Sequence, residues 1–168
     1  RGNRRGKHFK LIITPYEANA MKKFLVLNGA NLNLLGIREP DIYGKTTYKQ
    51  LIKTLKNYAK SHKIKIIFRR SNHEGTLIDE IQRAYFKRYD GIVINPGGYT
   101  HTSVALADAL KAGNIPAAEV HISDIAARED FRQISYIRPV CVTTVAGKGI
   151  AGYAEALDVL IEAAKKRD

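Results

Sequence analysis

Cysteine is almost missing from this chain: Cys141 is the single one in 168 residues. No internal disulfide can form, and no cysteine pair offers a zinc site. A reducing cytoplasm is the expected setting. Long hydrophobic runs are missing too, and nothing approaches the ~20 apolar residues of a membrane span. There is no internal repeat and no low-complexity linker. Neither a helix-turn-helix pattern nor the aromatic signature of an RNA-binding surface appears.

Acidic residues are scarce beside basic ones, 16 against 28, for a formal net charge of +12. That excess alone suggests nucleic acid, but its distribution argues otherwise. Arg1, Arg4, Arg5, Lys7 and Lys10 less Glu17 put +4 in the first twenty residues and leave +8 for residues 21–168. The remainder is scattered. Lys49, Lys53, Lys56 and Lys60 fall on one helical stretch, Lys63, Lys65, Arg69 and Arg70 flank a strand, and 165–167 form a basic tail. A solvated basic surface is expected, with no nucleic-acid partner and no membrane partner.

The opening stretch RGNRRGKHFKLIITPYEANA has a basic start and a cleavage-like Ala-Asn-Ala end. A secretory signal needs an apolar core of about 7–15 residues. Only Phe9 and then Leu11 to Ile13 stand there, so a signal peptide is rejected. The single methionine, Met21, directly precedes the first strand and reads as the native start. Residues 1–20 are expected to be a tag or an over-extended translation, and 21–168 one domain.

What is present is a clean alternation. KFLVLNG, IKIIFRR, GIVINPGG, PAAEVHIS and PVCVTTVAG read as strands, the last spanning 139–147. TYKQLIKTLKNYAKSH carries Tyr48, Leu51, Ile52, Leu55, Tyr58 and Ala59 on one helical stripe. TLIDEIQRAYFKR places Leu77, Ile78, Ile81, Ala84 and Tyr85 on another. SVALADALKAG reads as a helix capped by Ser103 and stopped by Gly113. REDFRQ suggests one short helical turn, and IAGYAEALDVLIEAAKK a final helix. Continuous apolar strands between helices predict an α/β fold, a doubly wound parallel sheet covered on both faces. Five strands suit the flavodoxin-like order 2-1-3-4-5.

In such sheets ligands bind beyond the carboxyl ends of the strands, near the switch point. Polar residues gather there. Strand 1 runs into Asn28, Gly29, Asn31 and Asn33, then into the loop LGIREPDIYG with Arg38 and Tyr43. Strand 3 ends in Asn95-Pro96-Gly97-Gly98, with His101 and Ser103 beyond. Strand 4 carries Glu119, His121 and Ser123, with Arg128 and Arg132 behind. The set contains no thiol and no nucleophile elbow. A tyrosine beside an arginine is a candidate base, because the cation favours the phenolate. A histidine is a candidate acid. Backbone N–H groups with Ser123 can cradle a carboxylate. Such a set suits proton abstraction and elimination from a small polyhydroxylated acid, without metal or cofactor. Read singly, each residue has an ordinary structural role: Tyr43 on a loop surface, His121 in the core, Arg128 and Arg132 paired with Glu129 and Asp130. His62 and His73 lie outside the set and read as surface residues.

LNGANLNLLGIREPDIYG, INPGGYTHTSVALADA, EVHISD and REDFRQISY together resemble the type II 3-dehydroquinate dehydratases, over about residues 22–162 in unbroken order. That resemblance implies a catalytic flavodoxin-like domain acting on 3-dehydroquinate in the shikimate pathway or in quinate breakdown. It implies Tyr43 as the base at C2, helped by Arg38 on a closing lid. Asn31 holds a water that stabilises an enolate. His121 is the acid for the departing C1 hydroxyl, with Asn95 nearby. Ile122 and Ser123 bind the carboxylate, and His101 and Arg132 the ring hydroxyls. Glu119 supports from behind. Asp108 reaches a neighbouring subunit's site in trimers assembled to a dodecamer. Ala30, Asp124, Ala126, Ala127 and Lys148 depart from the family's usual residues, and none falls on acid, base or cradle.

Two other classes stay open on the residues alone. A flavodoxin-like phosphate or flavin module needs a hydroxyl-rich loop after strand 1, and NGANLNLLG is rich in amides instead. Gly147 to Gly152 fits G-x-G-x-x-G, but no strand with an acidic residue ~20 positions on follows it. A basic nucleic-acid binder is the third class, and the scattered charge argues against it.

Overall fold

The computed structural model describes residues 21–37 and 45–167. Strands β1 (Lys23–Asn28), β2 (Lys65–Arg70), β3 (Gly91–Asn95), β4 (Ala117–His121) and β5 (Thr143–Ala146) alternate with helices α1 (Tyr48–Ser61), α2 (Glu74–Phe86), α3 (Val104–Gly113) and α4 (Ala151–Lys165). All strand pairs are parallel, and the sheet order is β2-β1-β3-β4-β5. This is the doubly wound, flavodoxin-like arrangement the alternation predicts.

The strand period of two sorts the core into two faces. Phe24, Val26, Val93, Ala118 and Val120 pack with Leu51 and Leu55 of α1 and Leu157 and Leu160 of α4. Leu25, Leu27, Ile92, Ile94 and Ala117 pack with Leu77 and Ile81 of α2 and Leu106 and Leu110 of α3. Each large apolar side chain so buried contributes about 1.5–3 kcal/mol. The central strands β1, β3 and β4 are thus covered on both sides. The edge strands are not: β2 is half-buried with exposed charged ends, and β5 is mostly half-buried.

Helix ends follow local chemistry. Thr47 starts α1 with a capping box, its Oγ1 accepting from Gln50 N while Gln50 Oε1 accepts from Thr47 N. Ser103 caps α3 as expected, accepting from Leu106 N at 2.9 Å. Three details correct the sequence reading. The stop of α3 is Asn114, in the left-handed region at φ 49°, and Gly113 remains helical. The last strand does not begin at residue 139. Pro139 lacks an N–H for a ladder, so Arg138–Val140 forms a 3-10 turn and β5 starts at Thr143. Tyr85 is exposed beside Phe86 at the end of α2 and leaves the buried stripe to Leu77, Ile81 and Ala84.

The ends of β1 and β3 meet backbone to backbone. Gly29 N donates to Asn95 O at 2.7 Å. A Cβ on Gly29 would lie 2.1 Å from Pro96 O, and one on Gly97, at φ +64°, would lie 2.5 Å from Ala30 O. Glycine is therefore required on both sides of this crossing. The close approach draws the loops after the two strands into a common rim.

Gly29→Ala is expected to lose on the order of 3 kcal/mol, because only backbone displacement relieves the overlap. A lower urea midpoint at unchanged slope is the readout. Gly75→Ala, in α2 with nothing within 4 Å of the added carbon, is expected to be neutral or to gain up to about 1 kcal/mol. A Gly29→Ala protein as stable as its parent would contradict the crossing.

Candidate active site

The carboxyl ends of β1, β3 and β4 surround a cleft of about 180 Å³. That is close to a cavity of ~150 Å³ that accepts benzene, so it suits one six-membered ring. Asn31, Asn95, His101, His121, Ser123 and Arg132 line it, and so do Ile122 and Arg128. The strand-end residues expected to share a rim are therefore together. Arg38 and Tyr43 lie outside the described residues. Asp108 sits exposed on α3 and does not line the cleft of its own chain.

Residues two apart on a strand share a face, and β4 uses this to seat His121 on Glu119. Glu119 is fully buried and His121 nearly so. His121 Nε2 lies 2.6 Å from Glu119 Oε1. The same carboxylate accepts from Ser135 Oγ at 2.7 Å and from Thr144 Oγ1 at 3.0 Å, and Arg138 Nε stands 3.6 Å away. Desolvation by burial pushes the Glu119 carboxyl up. Hydrogen bonds from His121, Ser135 and Thr144, with the field of His121, outweigh it and hold the group below its ordinary value. Glu119 is thus an anion, which only accepts, so Nε2 of His121 carries a proton and Nδ1 is the nitrogen left for a ligand.

The turn after β4 is held from behind by glycines. Gly147 N donates to His121 O at 3.3 Å and to Ser123 O at 3.1 Å, and Gly149 N donates to Ile122 O at 3.0 Å. In a trans peptide the N–H points opposite to the preceding carbonyl. The N–H groups of Ile122 and Ser123 therefore point away from the Gly147–Gly149 turn. The G-x-G-x-x-G stretch here clamps a neighbouring turn: its third glycine, Gly152, lies inside α4, where a Cβ would sit 3.2 Å from Val145.

The other walls are fixed in similar ways. Asn31 is in the left-handed region at φ 67°, and its N donates to Asn72 Oδ1 at 3.0 Å. Tyr99 Oη donates to Asn72 O at 2.7 Å, tying the turn Gly97–His101 to the same residue. His101 Nδ1 lies 2.6 Å from Ile134 O. A carbonyl only accepts, so Nδ1 carries hydrogen and Nε2 is the other pole of the ring. Arg132 Nε donates to Glu129 Oε2 at 2.8 Å, and Arg128 Nε stands 3.5 Å from the same oxygen. Glu129 is held below the usual carboxylate range by its own backbone hydrogen bond first, then by Arg132 and Arg128.

Sequence reasoning missed Asn72, Ser135, Thr144 and Arg138, which set the wall and the charge of the site. Asn72, Thr144 and Arg138 come from segments without a motif, and Ser135 lies within REDFRQISY, where nothing in the spacing points to Glu119. Cys141 offers no nucleophile, since burial and then the charge of Glu119 push its thiol up to about 12. His62 and His73 are exposed, as expected. Among the described residues no three His, Cys, Asp or Glu side chains group as metal ligands, and no helix is long and apolar enough to cross a membrane.

Comparison with known proteins gives a consistent set of relatives. The family model described as "Dehydroquinase class II" matches residues 22–161. A 3-dehydroquinate dehydratase of Caldicellulosiruptor bescii is 54% identical over 142 residues, which are 84% of this chain and 98% of that protein. One from Fusobacterium nucleatum is 52% identical, over 83% of this chain and 97% of that protein. The crystal structure of a type II dehydroquinase from Butyrivibrio crossotus superimposes with a TM-score of 0.83 at 51% identity, covering 84% of this chain and 98% of the other.

The lowered Glu119 value has a pH consequence. Its folded pKa lies below its unfolded one, so its stabilisation is complete above the ordinary carboxylate range and is lost as pH falls through the folded value. The stability difference between the parent and Glu119→Gln, measured by urea unfolding, is expected to shrink as pH falls from about 6 to 3. A difference that grows toward acid would contradict an anionic Glu119.

Proposed function

The chain belongs to the class II dehydroquinases, and from that premise we propose that it removes water from 3-dehydroquinate to give 3-dehydroshikimate. The observation that carries the reading is His121 seated on the buried Glu119 anion beside the Ile122–Ser123 turn. Such a pair delivers a proton next to a cradle for a carboxylate.

The C1 carboxylate rests on the N–H groups of Ile122 and Ser123, which point away from the glycine turn. His101 and Arg132 take the ring hydroxyls. Tyr43, as phenolate favoured by Arg38, removes the proton from C2. The electron pair moves into the ring ketone as an enolate, which a water held by Asn31 stabilises. The enolate then re-forms the ketone, the C1–O bond breaks, and His121 gives its Nδ1 proton to the departing oxygen. A C1–C2 double bond and one water result. Tyr43 ends protonated and His121 neutral, and proton exchange resets both. Acid and base handle both bonds, so the scheme calls for neither metal nor organic cofactor.

In the same reading the cytoplasmic enzyme works as a homo-oligomer of trimers assembled to a dodecamer. The exposed Asp108 of one copy then completes the site of its neighbour.

The product's double bond is conjugated to the carboxylate, so ultraviolet absorbance rises on turnover. Purified protein with 3-dehydroquinate and no added metal should give that rise. Tyr43→Phe and His121→Ala are each expected to lose at least ~10²-fold in kcat while remaining folded. Undiminished turnover in Tyr43→Phe would remove Tyr43 as base. No rise from folded, assembled parent protein would overturn the dehydratase reading.

A further inference from the structure

Beneath the cleft lies a polar network that the acid–base scheme does not use. Asn28 and Asn95 are partners across the β1–β3 ladder. They extend the strand face that packs on α1 and α4. Tyr153 of α4, fully buried, meets both. Its hydroxyl donates to Asn28 Oδ1 at 2.6 Å and lies 3.1 Å from Asn95 Nδ2.

The hydrogen directions here are determined. Asn28 Oδ1 only accepts, so the single Tyr153 hydrogen goes there. The tyrosine oxygen must then accept from Asn95 Nδ2. Asn95 Oδ1 independently accepts from Gly97 N at 3.2 Å. Both ends of the Asn95 amide are therefore fixed by separate partners. Asn95 lines the cleft, and the donor it has left for a ligand is the second Nδ2 hydrogen, while its oxygen is turned to Gly97 N. Asn28 makes a further point. Its Nδ2 is buried with no partner in hydrogen-bonding geometry among the described residues, although it is close enough to pull on the Tyr48 phenol. The oxygen end of this buried amide orients Tyr153.

We propose that Tyr153, oriented by Asn28, is a positioning residue that locks Asn95 so that its Nδ2, rather than its carbonyl, faces the substrate. The proposal rests on the dehydratase reading for what the donor meets, an oxygen gaining negative charge as the C–O bond breaks. A donor aimed at developing charge acts on kcat more than on KM. The lock itself is a property of the protein without ligand and can be tested apart from turnover.

Tyr153→Phe is expected to lower kcat by about tenfold to a hundredfold with KM changed less than about threefold. Tyr58→Phe is the control. It removes a hydroxyl that bonds Asp158 on the same helix, away from Asn95, and should keep the parent kcat and KM. In an Asn95→Ala background, adding Tyr153→Phe should change kcat by less than about twofold, because Tyr153 acts through Asn95. Parent-like kcat in Tyr153→Phe, or a full further loss in the Asn95→Ala background, would overturn the proposal. Should Tyr153→Phe not fold, hydrogen exchange of the Asn95 side-chain amide in the parent decides. One Nδ2 proton should be strongly protected and the other should exchange quickly, whereas two equal rates would overturn the lock. If the parent shows no turnover, the dehydratase reading fails and the exchange measurement alone decides the positioning.

Discussion

The site depends on one close approach, that of the chain leaving β1 to the chain leaving β3. Gly29 N reaches Asn95 O at 2.7 Å, and neither Gly29 nor Gly97 has room for a side chain. β1 and β3 flank the switch point of the sheet, where the two loops turn toward opposite layers. Here the missing Cβ atoms let the two backbones touch. Asn31 and the turn Gly97–His101 then face one cleft, and Asn72 fastens both from the side. The register that pairs Asn28 with Asn95 follows from the same contact and gives Tyr153 its two partners.

The second constraint is a charge kept where water cannot reach it. A buried carboxylate is costly unless every lone pair finds a donor. Glu119 meets this cost with His121, Ser135 and Thr144, drawn from β4 itself, the loop after it and β5. Three segments are thereby tied to one anion, and the histidine at the cleft has its ring orientation fixed by the same bond. Stability and chemistry share these atoms. The glycine turn at 147–149 adds to this by holding the peptides of Ile122 and Ser123, so the floor beside His121 is rigid in backbone as well as side chain.

Much of this was legible in the sequence because it is local or periodic. The apolar runs give five strands, the helical stripes give the layers, and Ser103 announces its cap. The crossing order then brings Asn31, Asn95, His101, His121 and Ser123 to one rim, as their places at strand ends require. Other features were not legible. The hydroxyl partners of Glu119 are a threonine on an edge strand without a motif and a loop serine whose place in REDFRQISY does not reveal its partner. Tyr153 looks like any core aromatic of an amphipathic helix, and only the fold reveals that two strand-end amides converge on its hydroxyl. The shortened β5 and the stop at Asn114 turn on single residues, a proline without an N–H and an asparagine able to enter the left-handed region. Tyr85 fits its helical stripe by spacing, yet it lies at the helix end beyond the sheet's cover.

The most direct measurement is a crystal structure of the protein equilibrated with 3-dehydroquinate and 3-dehydroshikimate. The ring should occupy the cleft between Asn31 and His121, its carboxylate on the N–H groups of Ile122 and Ser123. His121 Nδ1 should lie within hydrogen-bond reach of the C1 substituent. A ligand bound elsewhere, or a ring reversed so that its carboxylate meets Asn31, would contradict the assignment of this cleft as the place where water is lost.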